Sequence, residues 1–165
     1  MFSRYSMQDM NTEKTLEIDS SSYEATLRLS SQIGERLRGG EIFELIGDLG
    51  AGKTGFTSGL VAGAGSNDEV SSPSFTINNL YQTEMFEINH FDFYRLEEAG
   101  VMSQELVEVL GKDKSVTLIE WGDVVHDVLP SERVKVKIEH REGDNRHFIF
   151  MYTPEFEYLF EGMSE

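Results

Sequence analysis

A three-layer α/β fold, with helices flanking a mixed parallel and antiparallel central sheet, is what this sequence predicts, and three observations predict it. The apolar run Ile42-Phe43-Glu44-Leu45-Ile46 leads straight into a glycine-rich loop, and Phe56, Leu60 and Val61 then recur at helical spacing, giving a strand–loop–helix unit. Residues 115–121 form a short, largely apolar run of the kind a strand covered on both faces requires. Strand-like stretches at 75–82 and 85–94, and again at 133–140 and 147–152, follow each other too closely for helical crossovers and read as antiparallel hairpins.

The elements follow in order. Residues 1–14 read as a mobile extension, 15–153 as one domain, and 154–165 as an acidic tail. A first strand spans 15–19. Ser21-Ser22-Tyr23-Glu24 is a capping-box pattern that opens a helix with Tyr23, Leu27, Ile33 and Leu37 on one face, stopped by Gly39-Gly40. After the glycine-rich loop and its helix, which closes near Gly63 to Gly65, Pro73 marks a polar connection unsuited to a central strand. Thr83-Glu84 turns the first hairpin. The pattern then predicts a helix over 97–110, with Val101, Leu106, Val109 and Leu110 as buried positions and Gly111 as its stop. A helical turn or two runs from the 115–121 strand to Leu129-Pro130. Gly143-Asp144-Asn145 turns the second, half-exposed hairpin. The tail mixes acids with Phe156, Tyr158, Leu159 and Phe160, a pattern open to either a docked helix or a frayed terminus.

Composition narrows the partners. Fourteen basic against thirty acidic residues give a formal net charge of −16, so the surface repels polyanions and tight direct binding to a nucleic-acid backbone is not expected. Arg36 with Arg38 and Lys135 with Lys137 read as solvated surface charge beside acids. The chain has no Cys, which removes disulfides and thiolate metal sites. Neither a signal-peptide stretch nor a membrane-length apolar run is present, so a cytoplasmic protein, monomeric alone and without a membrane role, is the expectation.

Gly47-Asp48-Leu49-Gly50-Ala51-Gly52-Lys53-Thr54 is a complete G-x-x-x-x-G-K-[ST] match, the phosphate-binding loop of P-loop NTPases. Asp48, Leu49, Gly50, Ala51, Gly52, Lys53, Thr54 and Gly55 are the candidate nucleotide contacts: backbone N–H groups cradle phosphates, Lys53 neutralises the β/γ-phosphates and Thr54 ligates Mg²⁺. Such a site needs a further oxygen ligand at a neighbouring strand end, and Glu120, after Val116-Thr117-Leu118-Ile119, occupies that position. Asp92 ends another apolar run. Either it pairs with Arg95, or it faces the phosphates and orients the attacking water or completes the metal's outer shell. His90 shares its strand face and reads as a hydrogen-bonded structural residue. Trp121 reads first as core packing, with partner contact as the alternative. Ser72 and Ser74 sit where nucleotide-sensing switch loops occur, and a solvated Pro-bounded connection fits their spacing equally. The chain lacks an Asn-Lys-x-Asp guanine-reading motif, which favours ATP.

Together with Ser72-Pro73-Ser74-Phe75, His90-Phe91-Asp92-Phe93-Tyr94-Arg95-Leu96 and Leu118-Ile119-Glu120-Trp121, the loop resembles the TsaE (YjeE) family over about residues 20–150. The resemblance implies an ATPase, stimulated by partners, that supports threonylcarbamoyladenosine formation in tRNA while bound to the transferase TsaD and its paralogue TsaB, reaching tRNA only through them. Carried over by motif, Gly50 to Thr54 bind phosphates, Thr54 and Glu120 hold Mg²⁺, and Lys53, Asp92, Glu120 and Trp121 serve activity. Two positions depart from the family pattern. Gly55 stands where a second Thr is usual, and Ser74 where Thr is usual. A small-molecule or nucleotide kinase on the same loop, or a nucleotide-gated assembly factor, are the alternatives. A kinase of that type needs an Arg-bearing lid, and the arginines here form no such cluster.

Overall fold

The computed structural model describes residues 12–73, 77–94, 96–97 and 100–164. Its seven-stranded sheet has the order β1-β7-β6-β2-β5-β4-β3. The strands are β1 (Lys14–Ser20), β2 (Ile42–Ile46), β3 (Asn78–Gln82), β4 (Glu87–Asp92), β5 (Ser115–Glu120), β6 (Val134–His140) and β7 (Arg146–Tyr152); the α-helices are α1 (Tyr23–Gly34), α2 (Lys53–Gly63) and α3 (Val101–Val109). The four central strands, β6, β2, β5 and β4, run parallel, and both edges are antiparallel. This is the mixed sheet the sequence predicts.

Burial follows position in the sheet. Every residue of β5 is buried, because helices cover both its faces, whereas β6 and β7 alternate buried and partly exposed residues, as half-covered strands do. One core lies between the sheet and α1/α2, with Phe43, Phe56, Leu60, Leu118, Phe148 and Phe150 fully buried. The other lies under α3 and a 3₁₀ segment at Gly122–Val128, around Phe91, Phe93, Leu106 and Ile119. Each such side chain contributes roughly 1.5–3 kcal/mol by leaving water.

α2 is poor in large residues, and its packing on α1 shows why. A Cβ on Gly59 would lie 2.0 Å from Ser30 Oγ, one on Gly63 2.1 Å from the Ser31 carbonyl, and one on Gly34 2.2 Å from the Leu60 carbonyl. The two helices therefore touch backbone to backbone along a seam of glycine and serine. Behind that seam, Ser30 Oγ donates to Thr26 O at 2.9 Å, so its hydroxyl is satisfied where it is fully buried.

Several local expectations shift. Ser22, one residue later than the capping-box pattern placed it, caps α1 by accepting the Ala25 N–H at 3.1 Å. Tyr23 is 51% exposed because it begins the helix beyond the core edge, and α1 instead buries Thr26, Ser30 and Ile33. Val101, at the first turn of α3, is 70% exposed, and only Leu106 of that helix is fully buried. β3 starts at Asn78, and residues 75–76 of the expected strand lie outside the described residues.

Arg36 and Arg38 are not free surface charges. Arg36 donates to the Leu159 carbonyl at 2.9 Å, and the Arg38 guanidinium lies 3.8 Å over the Tyr158 ring. Tyr158 in turn donates to Glu41 at 2.6 Å, while Leu159 and Phe160 are buried. Of the two readings of the chain's end, the docked one holds: a 3₁₀ segment at Pro154–Leu159 packs on the α1/α2 core. Burial and the adjacent Glu41 carboxylate push the Tyr158 phenol well above its ordinary range.

Candidate functional site

The glycine-rich loop joins the carboxyl end of β2 to α2. Gly52 has φ 114°, a left-handed conformation that favours glycine, and its carbonyl accepts the Phe56 N–H at 3.0 Å to start the helix. Ala51 is buried and anchors the loop, whereas Leu49 is 66% exposed at its crest. Lys53 is only 6% exposed. Its ammonium folds back to donate to the carbonyls of Gly47 and, at 3.0 Å, Asp48. Burial lowers the Lys53 pKa, and the charges of Glu120, Asp92 and Asp48 oppose that shift.

Strand register decides which carboxylates share this space. β4 and β5 pair Asp92 with Glu120, and β2 and β5 pair Leu45 with Glu120, so both acids end parallel strands beside the loop and face the α1/α2 side. Each is 4% exposed. Glu120 Oε1 lies 2.8 Å from His90 Nε2, and Asp92 Oδ1 accepts the Tyr94 N–H at 2.9 Å. Lys53 supplies the positive charge between them. Both carboxylates act electrostatically on that one ammonium, Glu120 the more strongly.

Trp121 does not sit on the buried strand. It follows β5 in a left-handed conformation, φ 56°, with its ring 4.8 Å from the Lys53 ammonium and 5.0 Å from the Tyr94 ring. It packs, partly buried, against the α3 core as the packing reading expects, but the strand ends one residue earlier and the αL turn also brings the indole face to the Lys53 ammonium. Ile77, φ 69°, is the other non-glycine residue with positive φ among the described residues, and its carbonyl holds the Asp92 N–H at 2.9 Å. Both strained residues border the same acids, where local strain commonly accompanies a working site.

Thr54 is exposed at the mouth of the loop, and Ser72 is exposed on the connection to β3. Ser74 and Arg95 lie outside the described residues. Gly55, the unexpected residue after Thr54, has a neighbour that sequence reading missed: a Cβ there would stand 2.9 Å from Tyr23 Cε2. The tyrosine ring occupies the space a larger side chain would take. Because that ring is half exposed and can swing, Gly55→Thr alone is expected to change stability by less than about 1 kcal/mol, helix propensity offsetting the displacement. Combined with Tyr23→Ala it should gain about 0.5 kcal/mol or more over the sum of the single changes, measured by chemical denaturation.

Hard oxygen donors from Thr54, Glu120 and Asp92 fit Mg²⁺, which keeps several waters and needs few protein ligands. Among the described residues no group of three or more His, Cys, Asp or Glu is gathered as a metal cage. A cleft of about 800 Å³ opens on the β6 side of the loop, lined in part by Leu49, Gly50, Trp121, Asp123, Lys137 and Arg141. A second, of about 490 Å³, lies between Ser20-Ser21 and Arg146, whose side chain would be 3.2 Å from a Cβ on Gly52. Either volume suits a small organic ligand.

The model of the family described as threonylcarbamoyl adenosine biosynthesis protein TsaE matches residues 20–148. The chain is 37% identical to the tRNA threonylcarbamoyladenosine biosynthesis protein TsaE of Bacillus subtilis (strain 168) over 116 residues, 67% of this chain and 69% of that protein. It is 31% identical to the TsaE of Nostoc sp. over 146 residues, 85% of this chain and 88% of that one. The crystal structure of Bacillus subtilis YdiB superposes with a TM-score of 0.73 at 29% identity, covering 92% of this chain and 95% of that chain. No helix among the described residues is long and apolar enough to cross a membrane.

Proposed function

Since the chain belongs to the TsaE family of tRNA threonylcarbamoyladenosine biosynthesis proteins, we propose that it is a Mg²⁺-dependent ATPase of that pathway, hydrolysing ATP in the cytoplasm while bound to the TsaD and TsaB transferase subunits. The observation that carries this reading is the convergence on one loop of a folded-back lysine and two buried strand-end acids. Backbone N–H groups from Gly50 to Thr54 and the amino end of α2 hold the phosphates. Lys53 already lies across the loop, so it need only exchange the carbonyls of Gly47 and Asp48 for phosphate oxygens. Thr54 and Glu120 would hold Mg²⁺, which when bound offsets charge on the β- and γ-phosphates. Asp92, at the next strand end, orients the attacking water. Trp121 shields the Lys53 ammonium from solvent on one side. The net charge of −16 supports an indirect route to tRNA, through partners that carry the basic surface.

The test is phosphate release by the purified chain, alone and with TsaD and TsaB, for wild type and Lys53→Ala. Partners are expected to raise turnover, and Lys53→Ala to lower it by about 100-fold or more. Partners that bind without raising turnover, or a Lys53→Ala protein as fast as wild type, would refute the reading. Phosphate transferred only to an added acceptor would identify a kinase instead.

A further inference from the structure

We propose that Tyr81 and His90 form a buried hydrogen-bonded link that positions the Glu120 carboxylate and ties it to the exposed loop at Ser71, so that the state of the loop is transmitted to the carboxylate. The proposal rests on the nucleotide reading given above. His90 is 0% exposed and Tyr81 3%, whereas Ser71 and Ser72 are exposed. From the inside outward, Glu120 Oε1 is 2.8 Å from His90 Nε2, His90 Nδ1 is 3.4 Å from the Tyr81 hydroxyl, and that hydroxyl is 3.2 Å from the Ser71 carbonyl. Asn79 reinforces the outer end by donating to the same carbonyl at 3.0 Å and lying 3.3 Å from Ser71 Oγ.

A histidine this deeply buried is tolerated only with its nitrogens satisfied, and an apolar residue would pack the same face at lower cost. The chain of partners shows what the ring is for. His90 pairs with Leu118 across β4 and β5, two residues short of the Asp92–Glu120 pair, so its ring spans diagonally to the carboxylate. This is the arrangement by which an outer partner fixes the orientation of a metal-binding group.

The outer end has two arrangements. The Tyr81 hydroxyl carries one proton, which goes either to the Ser71 carbonyl or to His90 Nδ1. Donation to Nδ1 leaves the Nε2–H as the ring's donor, aimed at Glu120. Movement of Ser71 away from Tyr81 removes the competing acceptor and favours that arrangement. Asn79, on the same strand as Tyr81, holds the same Ser71 carbonyl.

The experiment uses the full chain as wild type, Tyr81→Phe, His90→Gln and His90→Leu. Calorimetry measures ATP affinity with and without Mg²⁺, and amide hydrogen exchange follows residues 68–73 on addition of Mg²⁺ and ATP. His90→Leu is expected to cut the Mg²⁺-dependent gain in ATP affinity by about tenfold with little effect on the metal-free value, and His90→Gln, whose amide can reach Glu120, to recover most of it. Tyr81→Phe keeps the ring packing but should abolish the ligand-dependent change in exchange of 68–73. An unchanged Mg²⁺ gain in His90→Leu, a His90→Gln protein no better than His90→Leu, or a wild-type exchange response in Tyr81→Phe would overturn the proposal. Should His90→Leu fail to fold, the exchange response of Tyr81→Phe decides. A wild-type protein that binds no ATP would instead overturn the nucleotide reading itself.

Discussion

Glu120→Gln is expected to lower partner-stimulated ATP turnover by about 100-fold while leaving the nucleotide-free protein at least as stable as wild type. The substitution keeps the size of a side chain that is 4% exposed and bonded to His90, so packing is preserved. What it removes, on the proposed mechanism, is one anionic oxygen ligand of Mg²⁺. In the ligand-free protein, Glu120 and Asp92 end adjacent paired strands and repel each other beside a single lysine. Neutralising one acid relieves that repulsion. Opposite signs for activity and stability mark a group kept for chemistry rather than for folding. Steady-state hydrolysis with the partner subunits and a denaturant titration without nucleotide measure the two effects. If Glu120→Gln were as active as wild type, or were destabilised by several kcal/mol, the carboxylate would be structural.

Gly59→Val is expected to destabilise the protein by about 3 kcal/mol or more, near the upper end for overpacking. A Cβ at this position meets Ser30 Oγ at 2.0 Å, the Leu27 carbonyl at 2.5 Å and the Leu27 Cα at 3.0 Å. Two of those three atoms are backbone, so no rotamer change removes the clash. α1 must move off α2. That shift withdraws Ile33 of α1 from the core and loosens the support of α2, whose amino end carries Lys53 and Thr54. Thermal unfolding should fall by roughly 6–12 °C for a domain of this size. Ala62→Leu, on the exposed side of the same helix, should stay within about 0.5 kcal/mol of wild type. Equal stability of Gly59→Val and wild type would show that the two helices do not meet along the glycine seam.

The strand–loop–helix unit was legible because its signals are local. Ile42 to Ile46, the loop glycines and the stripe of Phe56, Leu60 and Val61 each lie within a few residues of one another, and all three formed as the pattern required. Both antiparallel hairpins were legible for the same reason, since a short connection leaves few ways to pair two strands. Val101 and Tyr23 misled because an apolar residue in a helical pattern does not say whether its turn lies over the core or beyond its edge. The glycine seam was missed because Gly59 and Gly63, read locally, signal a weak helix; their value appears only when α1 lies against them.

The sequence by itself determined the fold class, the glycine-rich loop and the acids Asp92 and Glu120 as candidates, because each depends on residue type and short-range spacing. Tertiary structure alone decided that Asp92 and Glu120 are register partners, that Trp121 lies over Lys53, and that Tyr81 and His90 connect Ser71 to Glu120. Those relations depend on which strands lie side by side and in what register. A one-residue slip between β4 and β5 would preserve the sequence pattern and send the His90 ring to the opposite face.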